Sequence, residues 1–230
     1  MGQCGAIRHS ASELVDAVLA IALDAACAAC GQPLEQPSRG PVCGICWRVV
    51  DAAVPCVFGI SPAVADAQAI GLYDGVLRDI IHALKYEGRR SLAEPLARRI
   101  RSRCSAVLDG ADIAVPVPLH PSRRRQRGFN QALDLSRRLG IPVTQALRRV
   151  RPTITQTALS EEERRRNVSA AFAPSRRWFA PPPVAGRIVV LVDDVSTTGA
   201  TLNECALVLR ALGAREVRAV TAARVATSPH

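Results

Sequence analysis

The stretch Ile188–Leu202, "IVVLVDDVSTTGATL", decides the fold class. Five apolar residues, Ile188–Val192, run straight into two adjacent aspartates, Asp193 and Asp194. Hydroxylated residues, one glycine and a second apolar stretch follow. An unbroken apolar run predicts a strand buried on both faces, which belongs to a parallel sheet covered by helices. In open α/β sheets ligands bind beyond the carboxyl ends of the strands. Asp193 and Asp194 therefore stand where a ligand is expected. The segment 195–201 is expected to join strand to helix, so its backbone N–H groups and the helix N-terminus converge on one point, which favours an anion. Ser196, Thr197, Thr198 and Thr201 add hydroxyl donors. Gly199 lets the backbone approach the ligand closely, with Ala200 beside it.

Three other readings of these residues are weaker. A Walker-B aspartate needs a GxxxxGK[ST] loop, but the sole lysine, Lys85, lies in "ALKYEG". A dinucleotide site needs GxGxxG, which is absent. Two aspartates that merely cap a helix would leave paired carboxylates at the end of an apolar strand, which is costly unless something solvates or pairs them. What remains is a loop for a phosphate and two carboxylates for vicinal hydroxyls. That is the description of a 5-phosphorylated ribose.

Elsewhere in the chain, strand and helix patterns alternate. "DAQAIGLYDG" reads as a strand and turn, and "VLRDIIHALKYEG" as a helix ended by Gly88. "SLAEPLARRIRSRC" reads as a helix with Ser91 as N-cap. "DIAVPVPL" is a strand whose Pro116 and Pro118 argue for an edge position or a strand end. "NQALDLSRRLG" is a helix, with Asn130 as its cap, and "IPVTQALRRV" has a strand-like start. Ser160 and Glu163 form a capping box. "TLNECALVLRALG" is a helix with Leu202, Cys205, Leu209 and Leu212 on one side, and "EVRAVTAARV" is the last strand. This order predicts an α/β fold with a parallel sheet flanked by helices.

Four of eight cysteines are spaced Cys27-x2-Cys30 and Cys43-x2-Cys46 across a turn-rich loop. Two such pairs present four thiolates to one tetrahedral ion, the spacing of a structural zinc site. Gly31 and Gly44 follow Cys30 and Cys43, where such turns often need a permissive backbone. Residues 1–60 are accordingly expected to form an N-terminal helix and a small zinc-ribbon-like module, and residues 61–230 the larger α/β domain. The early apolar stretch "ELVDAVLAIALDAACAAC" carries Glu13, Asp16 and Asp24, which argue against a membrane span or a signal peptide. The chain is expected to be cytoplasmic, where thiols stay reduced.

The net charge is +10, carried almost wholly by arginine. A strongly basic balance favours phosphate-bearing partners. Arg123, Arg124, Arg125 and Arg127 follow "VPVPL" at a second strand end and are expected to form a loop able to clamp a pyrophosphate. Lys85 survives in a chain that otherwise writes its positive charge as arginine, so a phosphate contact is expected of it.

"VVLVDDVSTTGAT" resembles the phosphoribosyl-pyrophosphate (PRPP) signature of type I phosphoribosyltransferases. "CAACG" and "CGIC", then "YDGVLRDIIHALKYEG", "VPVPLHPSRRRQRGFNQA" and "RPTITQTALSEEERRRNVSAAF", precede it in an order that resembles the ComF family of competence proteins. The resemblance covers nearly the whole chain. It implies a type I phosphoribosyltransferase fold behind a zinc module, PRPP as ligand with Mg²⁺, and a link to DNA uptake. By resemblance, Asp193 and Asp194 hold the ribose hydroxyls and Ser196–Thr201 wrap the 5-phosphate. The arginine loop, through Arg123 and Arg127, takes the pyrophosphate. Arg151, Thr153 and Gln156 would lie on a loop that closes over the reaction centre. The unpaired Cys56 and the proline-rich stretch around Trp178 depart from the pattern. A second class stays open: a nucleic-acid-binding adaptor on the same fold. It would engage single-stranded DNA or DNA-uptake proteins through Arg98, Arg99, Arg101 and Arg103 and through Arg164–Arg166. Scarce aromatics speak against stacking on bases.

Overall fold

The structure is a computed structural model, and it describes residues 25–150, 171–175 and 183–226. The N-terminal helix, the capping box at Ser160, the candidate residues Arg151, Thr153 and Gln156, and Arg164–Arg166 lie outside the described residues. The chain divides into two compact units. One takes the chain up to Ala52 together with Asp74–Leu92; the other takes Ala53–Tyr73 and everything from Ala93 onward.

In the first unit, helix α1 (Gly44–Ala52) packs on helix α2 (Gly75–Tyr86). The helical period of α2 buries Leu77, Ile80, Ile81 and Leu84 on one side. Lys85 falls in its last turn, half-buried.

The second unit is built on five strands: β1 (Cys56–Val57), β2 (Ala67–Leu72), β3 (Ile113–Pro116), β6 (Ile188–Ser196) and β7 (Glu216–Arg224), in the order β1-β2-β7-β6-β3. The pairs β2–β7, β7–β6 and β6–β3 are parallel, as the alternating pattern predicts. β1 is antiparallel to β2, since the short link between them cannot make a parallel crossover. β3 does lie at an edge, where Pro116 forfeits no ladder bond that the sheet requires. Between β3 and β6 come β4 (Leu147–Arg149) and β5 (Phe172–Pro174). They form a separate antiparallel ribbon, which the sequence pattern does not announce.

Helices cover both faces. Helix α3 (Ala93–Arg103) buries Leu96, Ala97 and Ile100 and packs on β2 and β7. Ser91 is not its N-cap; it sits inside a 3-10 turn, Arg90–Leu92. A short helix α4 (Ser105–Leu108) follows. The arginines after β3 form a helix, α5 (Pro121–Arg127), and not the expected loop: Pro121 starts it, His120 Nδ1 accepts from Ser122 N–H, and Gly128 closes it at φ +76°. Helix α6 (Gln131–Ser136) is capped by Asn130, whose Oδ1 accepts from Ala132 N at 3.0 Å. Helix α7 (Ala200–Ala211) buries Leu202, Cys205, Ala206 and Leu209 against Val189, Leu191, Val217 and Ala219 of the sheet. Val189–Val192 have no exposed surface, which accounts for their unbroken apolar sequence.

Candidate functional site

β6 does not stop at the aspartates. It pairs with β7 as far as Ser196, opposite Arg224, so both carboxylates ride on the last rungs of the sheet. Asp193 is half-buried, and Asp194 is 8% exposed. Asp193 Oδ1 accepts the Asp194 backbone N–H at 2.8 Å, which fixes that carboxylate against the strand. The connection to α7 is therefore only Thr197–Gly199, shorter than the sequence suggests.

Gly199 makes so short a turn possible. Its φ of +77° lies in the left-handed region, and a Cβ there would stand 2.9 Å from Ile60 Cγ2. Its carbonyl accepts from Asn203 N at 2.9 Å, and Thr198 Oγ1 lies 3.4 Å from Ala200 N. A hollow of about 20 Å³ is lined by Asp193 and by the chain from Val195 to Leu202. Beside it, Ile60, Ser61 and Asn203 line a larger pocket of about 230 Å³ with Thr198–Ala200. Ser196, Thr197, Thr198, Gly199, Ala200 and Thr201 are thus gathered round one concavity at the N-terminus of a 12-residue helix, where anions are favoured. Gly199→Ala is expected to cost about 1–3 kcal/mol for its strained backbone. A melting temperature unchanged from wild type would contradict that account of the turn.

Arg123 and Arg127 are four apart on α5 and half-buried, whereas Arg124 and Arg125 are exposed. Spacing of four puts the first two on one helix face. A residue that sequence reasoning missed joins them. Arg149, on β4, holds its guanidinium 5.3 Å from the Phe172 ring centroid. Burial and then the Arg123 charge pull its pKa below the ordinary arginine value, while Asp193 acts in the opposite direction. Arg149 therefore feels the α5 arginine and the β6 carboxylate together. One arginine among so many carries no signal in sequence.

Lys85 belongs to the first unit, and the acidic strand end to the second. Of the α3 arginines proposed for DNA, only Arg98 is exposed. Arg101 bonds Arg138 O and lies 3.5 Å from Glu94, Arg103 bonds Ala53 O, and Arg99 bonds Pro95 O at 3.2 Å. These cations serve the fold.

In the first unit the four thiols of Cys27, Cys30, Cys43 and Cys46 lie within 4.8 Å of one another. Cys27 and Cys46 Sγ are 3.9 Å apart, as are those of Cys30 and Cys43. A tetrahedral ion with Zn–S bonds of about 2.3 Å needs sulfur separations of about 3.8 Å, so two of the sulfur pairs already stand at that spacing and the others are no more than about 1 Å beyond it. Gly31 takes φ +72°, as its place after Cys30 requires, whereas Gly44 simply opens α1. Cys43 N–H points at Cys27 Sγ across 3.3 Å. Burial opposes the Cys27 thiolate, but backbone N–H groups of Cys30, Cys43 and Ala29 outweigh it and bring the pKa down to about 6. Cys46 is pushed up, by burial first and then by its three thiol neighbours. The cluster could hold a metal such as zinc.

A phosphoribosyl transferase domain model matches residues 125–229. Competence protein F of Haemophilus influenzae is 34% identical over 84% of this chain and 81% of its own length. The chain belongs to the ComF family. The DNA utilization protein YhgH of Salmonella typhimurium is also 34% identical, again over 84% of this chain and 81% of its own. Among solved structures, the purine phosphoribosyltransferase of Pyrococcus horikoshii aligns at 20% identity over 61% of this chain and 77% of that one, with a TM-score of 0.33. This ComF-family chain is a competence-related, phosphoribosyltransferase-like protein with the type I fold. No helix among its described residues is long and apolar enough to cross a membrane.

Proposed function

We propose that the carboxyl end of β6 binds PRPP together with Mg²⁺, and that the protein transfers or holds phosphoribose in the service of DNA uptake. The reading is carried by one observation: two adjacent carboxylates end in a three-residue turn whose backbone and hydroxyls line a single hollow. In this reading the turn and the residues that flank it, Ser196–Thr201, take the 5-phosphate, and Asp193 and Asp194 accept the ribose hydroxyls. Arg123 and Arg127 face the pyrophosphate, with Arg149 between them and the ribose. Transfer would break the bond from ribose C1 to pyrophosphate as a nucleophile enters opposite. Positive charge then grows on the sugar and negative charge on the leaving group. Fixed carboxylates and guanidinium groups stabilise both without reorganising. Mg²⁺, when bound with the ligand, supplies further neutralisation of the pyrophosphate, and Asp193 and Asp194 are the residues to hold it through water. The cysteine quartet is proposed as a structural zinc site, closed by four protein ligands, and its free thiols suit the cytoplasm.

The names of the relatives, competence protein F and DNA utilization protein, support the link to DNA. An adaptor that grips DNA through α3 has less support, because Arg99, Arg101 and Arg103 are engaged within the fold.

Calorimetric titration of zinc-loaded protein with PRPP tests the proposal. Binding in Mg²⁺ that weakens at least about tenfold in EDTA is the expected result. Equal absence of binding in both buffers would overturn it. Parallel titration with single-stranded DNA separates the classes, because phosphate-mediated DNA binding falls steeply with salt.

A further inference from the structure

Glycine permits the turn after β6 but does not enforce it. With no Cβ, Gly199 could hold a negative φ as readily as the +77° it takes, so something outside the residue selects that value. From the helix side, Asn203 N–H holds its carbonyl at 2.9 Å. On the other side stands Ile60. A Cβ built on Gly199 would lie 2.9 Å from Ile60 Cγ2, 3.2 Å from Cγ1 and 3.5 Å from Cβ. The branch of Ile60 therefore fills the place where residue 199 would carry a side chain of its own.

Ile60 is itself fixed. Phe58 N–H bonds Ala67 O at 3.0 Å and Ala65 N–H bonds Val217 O at 2.8 Å, so the segment between them is tied to the sheet at both ends. Ser61 turns the chain there: its carbonyl accepts from Val64 N–H and its Oγ from Ala63 N–H. Val64 is buried in the core, and Phe58, Ile60 and Ala63 pack against that core. A β-branched side chain on so tethered a segment has little rotamer freedom. Ile60 lines the larger pocket of about 230 Å³ but not the hollow at Asp193. It touches the turn, and not the ligand proposed for the hollow.

We infer that Ile60 is a positioning residue for the 5-phosphate: its β-branch holds Gly199 in the left-handed conformation, and through it keeps the backbone donors of the turn in place. Donors already in place bind an anion without first being ordered, so a loosened turn costs affinity although no contact with the ligand is lost. The inference rests on the sugar-phosphate reading and adds to it a residue outside the PRPP signature.

The test titrates the full zinc-loaded chain, in Mg²⁺, with PRPP, with ribose 5-phosphate and with pyrophosphate alone, which has no 5-phosphate. Ile60→Val keeps both Cγ atoms and should bind all three as wild type does. Ile60→Leu keeps the volume but loses the branch at Cβ. It should weaken PRPP and ribose 5-phosphate by about three- to tenfold and leave pyrophosphate within about twofold, with a melting temperature close to that of Ile60→Val. Ile60→Ala should go further in the same direction. In that background Gly199→Ala, relieved of the clash, should lower the melting temperature less than it does in wild type. Should Ile60→Ala not fold, the contrast of Leu with Val carries the test alone. Equal PRPP affinity in all the Ile60 variants would overturn the inference and leave the sugar-phosphate reading standing. Equal weakening of pyrophosphate and ribose 5-phosphate by Ile60→Leu would mean a general loosening of the site and overturn it as well. A wild-type protein that binds neither PRPP nor ribose 5-phosphate would sink the underlying reading, whereas the melts need no ligand: strictly additive losses for Ile60→Ala and Gly199→Ala would show that Ile60 does not hold the turn.

Discussion

Asp194→Asn should reduce PRPP affinity by roughly 10- to 100-fold while leaving the protein folded. A hydrogen bond to a charged group contributes about 1.5–3 kcal/mol, and a carboxylate that accepts one or two ribose hydroxyls loses that strength when it becomes an amide. Asparagine keeps the shape of a side chain that is only 8% exposed, so the packing at the strand end survives. Asp193→Asn is a matched control for position. Its amide oxygen can still accept the Asp194 N–H now held at 2.8 Å, so the backbone stays in place while one charge is lost. Side chains of consecutive strand residues point to opposite faces, so neither carboxylate needs the other's charge. Asp194→Asn should leave the melting temperature near wild type, whereas Asp193→Asn, which removes a charge that favours the Arg149 cation, should lower it slightly. Calorimetry and a thermal melt on the same samples check both halves. Lost stability with intact PRPP binding would make these residues structural and leave the hollow without a ligand.

The parts of this protein that were legible in sequence are those where one physical demand dominates. Val189–Val192 must be buried on both faces, and nothing polar interrupts them. The helix from Ala200 repeats its apolar residues at the period that packs Leu202, Cys205 and Leu209 on the sheet. Four cysteines at two fixed spacings admit few uses besides a metal. Legibility failed where long-range contacts decide. The β4–β5 ribbon pairs Leu147–Arg149 with Phe172–Pro174 across more than twenty residues of chain, and neither segment alternates long enough to declare itself. The arginines of α5 look like a loop because charge hides the helix that Pro121, His120 and Gly128 delimit. Arg149 acquires meaning only from what the fold brings beside it, Phe172 and Asp193. In a chain this rich in arginine, residue type alone cannot separate a buried site cation from one that ties helices together, as Arg101 and Arg103 do.

Removal of the metal from the cysteine quartet should unfold the first unit's cysteine module. The described residues around the quartet offer little apolar core of their own: Cys27, Leu34, Val42, Cys46 and Val50 are the buried ones between residues 25 and 52. Structural zinc in small modules contributes about 10–16 kcal/mol of apparent binding free energy near neutral pH, far more than so few side chains supply. The purified protein should therefore carry one zinc per chain, and Cys43→Ser should lose it and expose residues 25–52 to proteolysis. Acid should do the same with a definite proton count. Zinc needs four thiolates, so each thiol still protonated must release its proton on binding. Above pH 6 Cys27 is already ionised, its pKa having been lowered to about 6, and it releases nothing. As pH falls through that value Cys27 gains a proton, and the logarithm of zinc affinity should fall with pH more steeply by one proton below about 6 than above it. Cys46, held protonated by burial and by its neighbouring thiols, releases a proton throughout this range and adds no break. Zinc competition with a chromogenic chelator from pH 5 to 8 would show the break. A constant slope would mean that the backbone N–H groups of Cys30, Cys43 and Ala29 do not hold the Cys27 thiolate in the metal-free protein. Full stability after complete chelation would mean that the quartet is not what holds this module together.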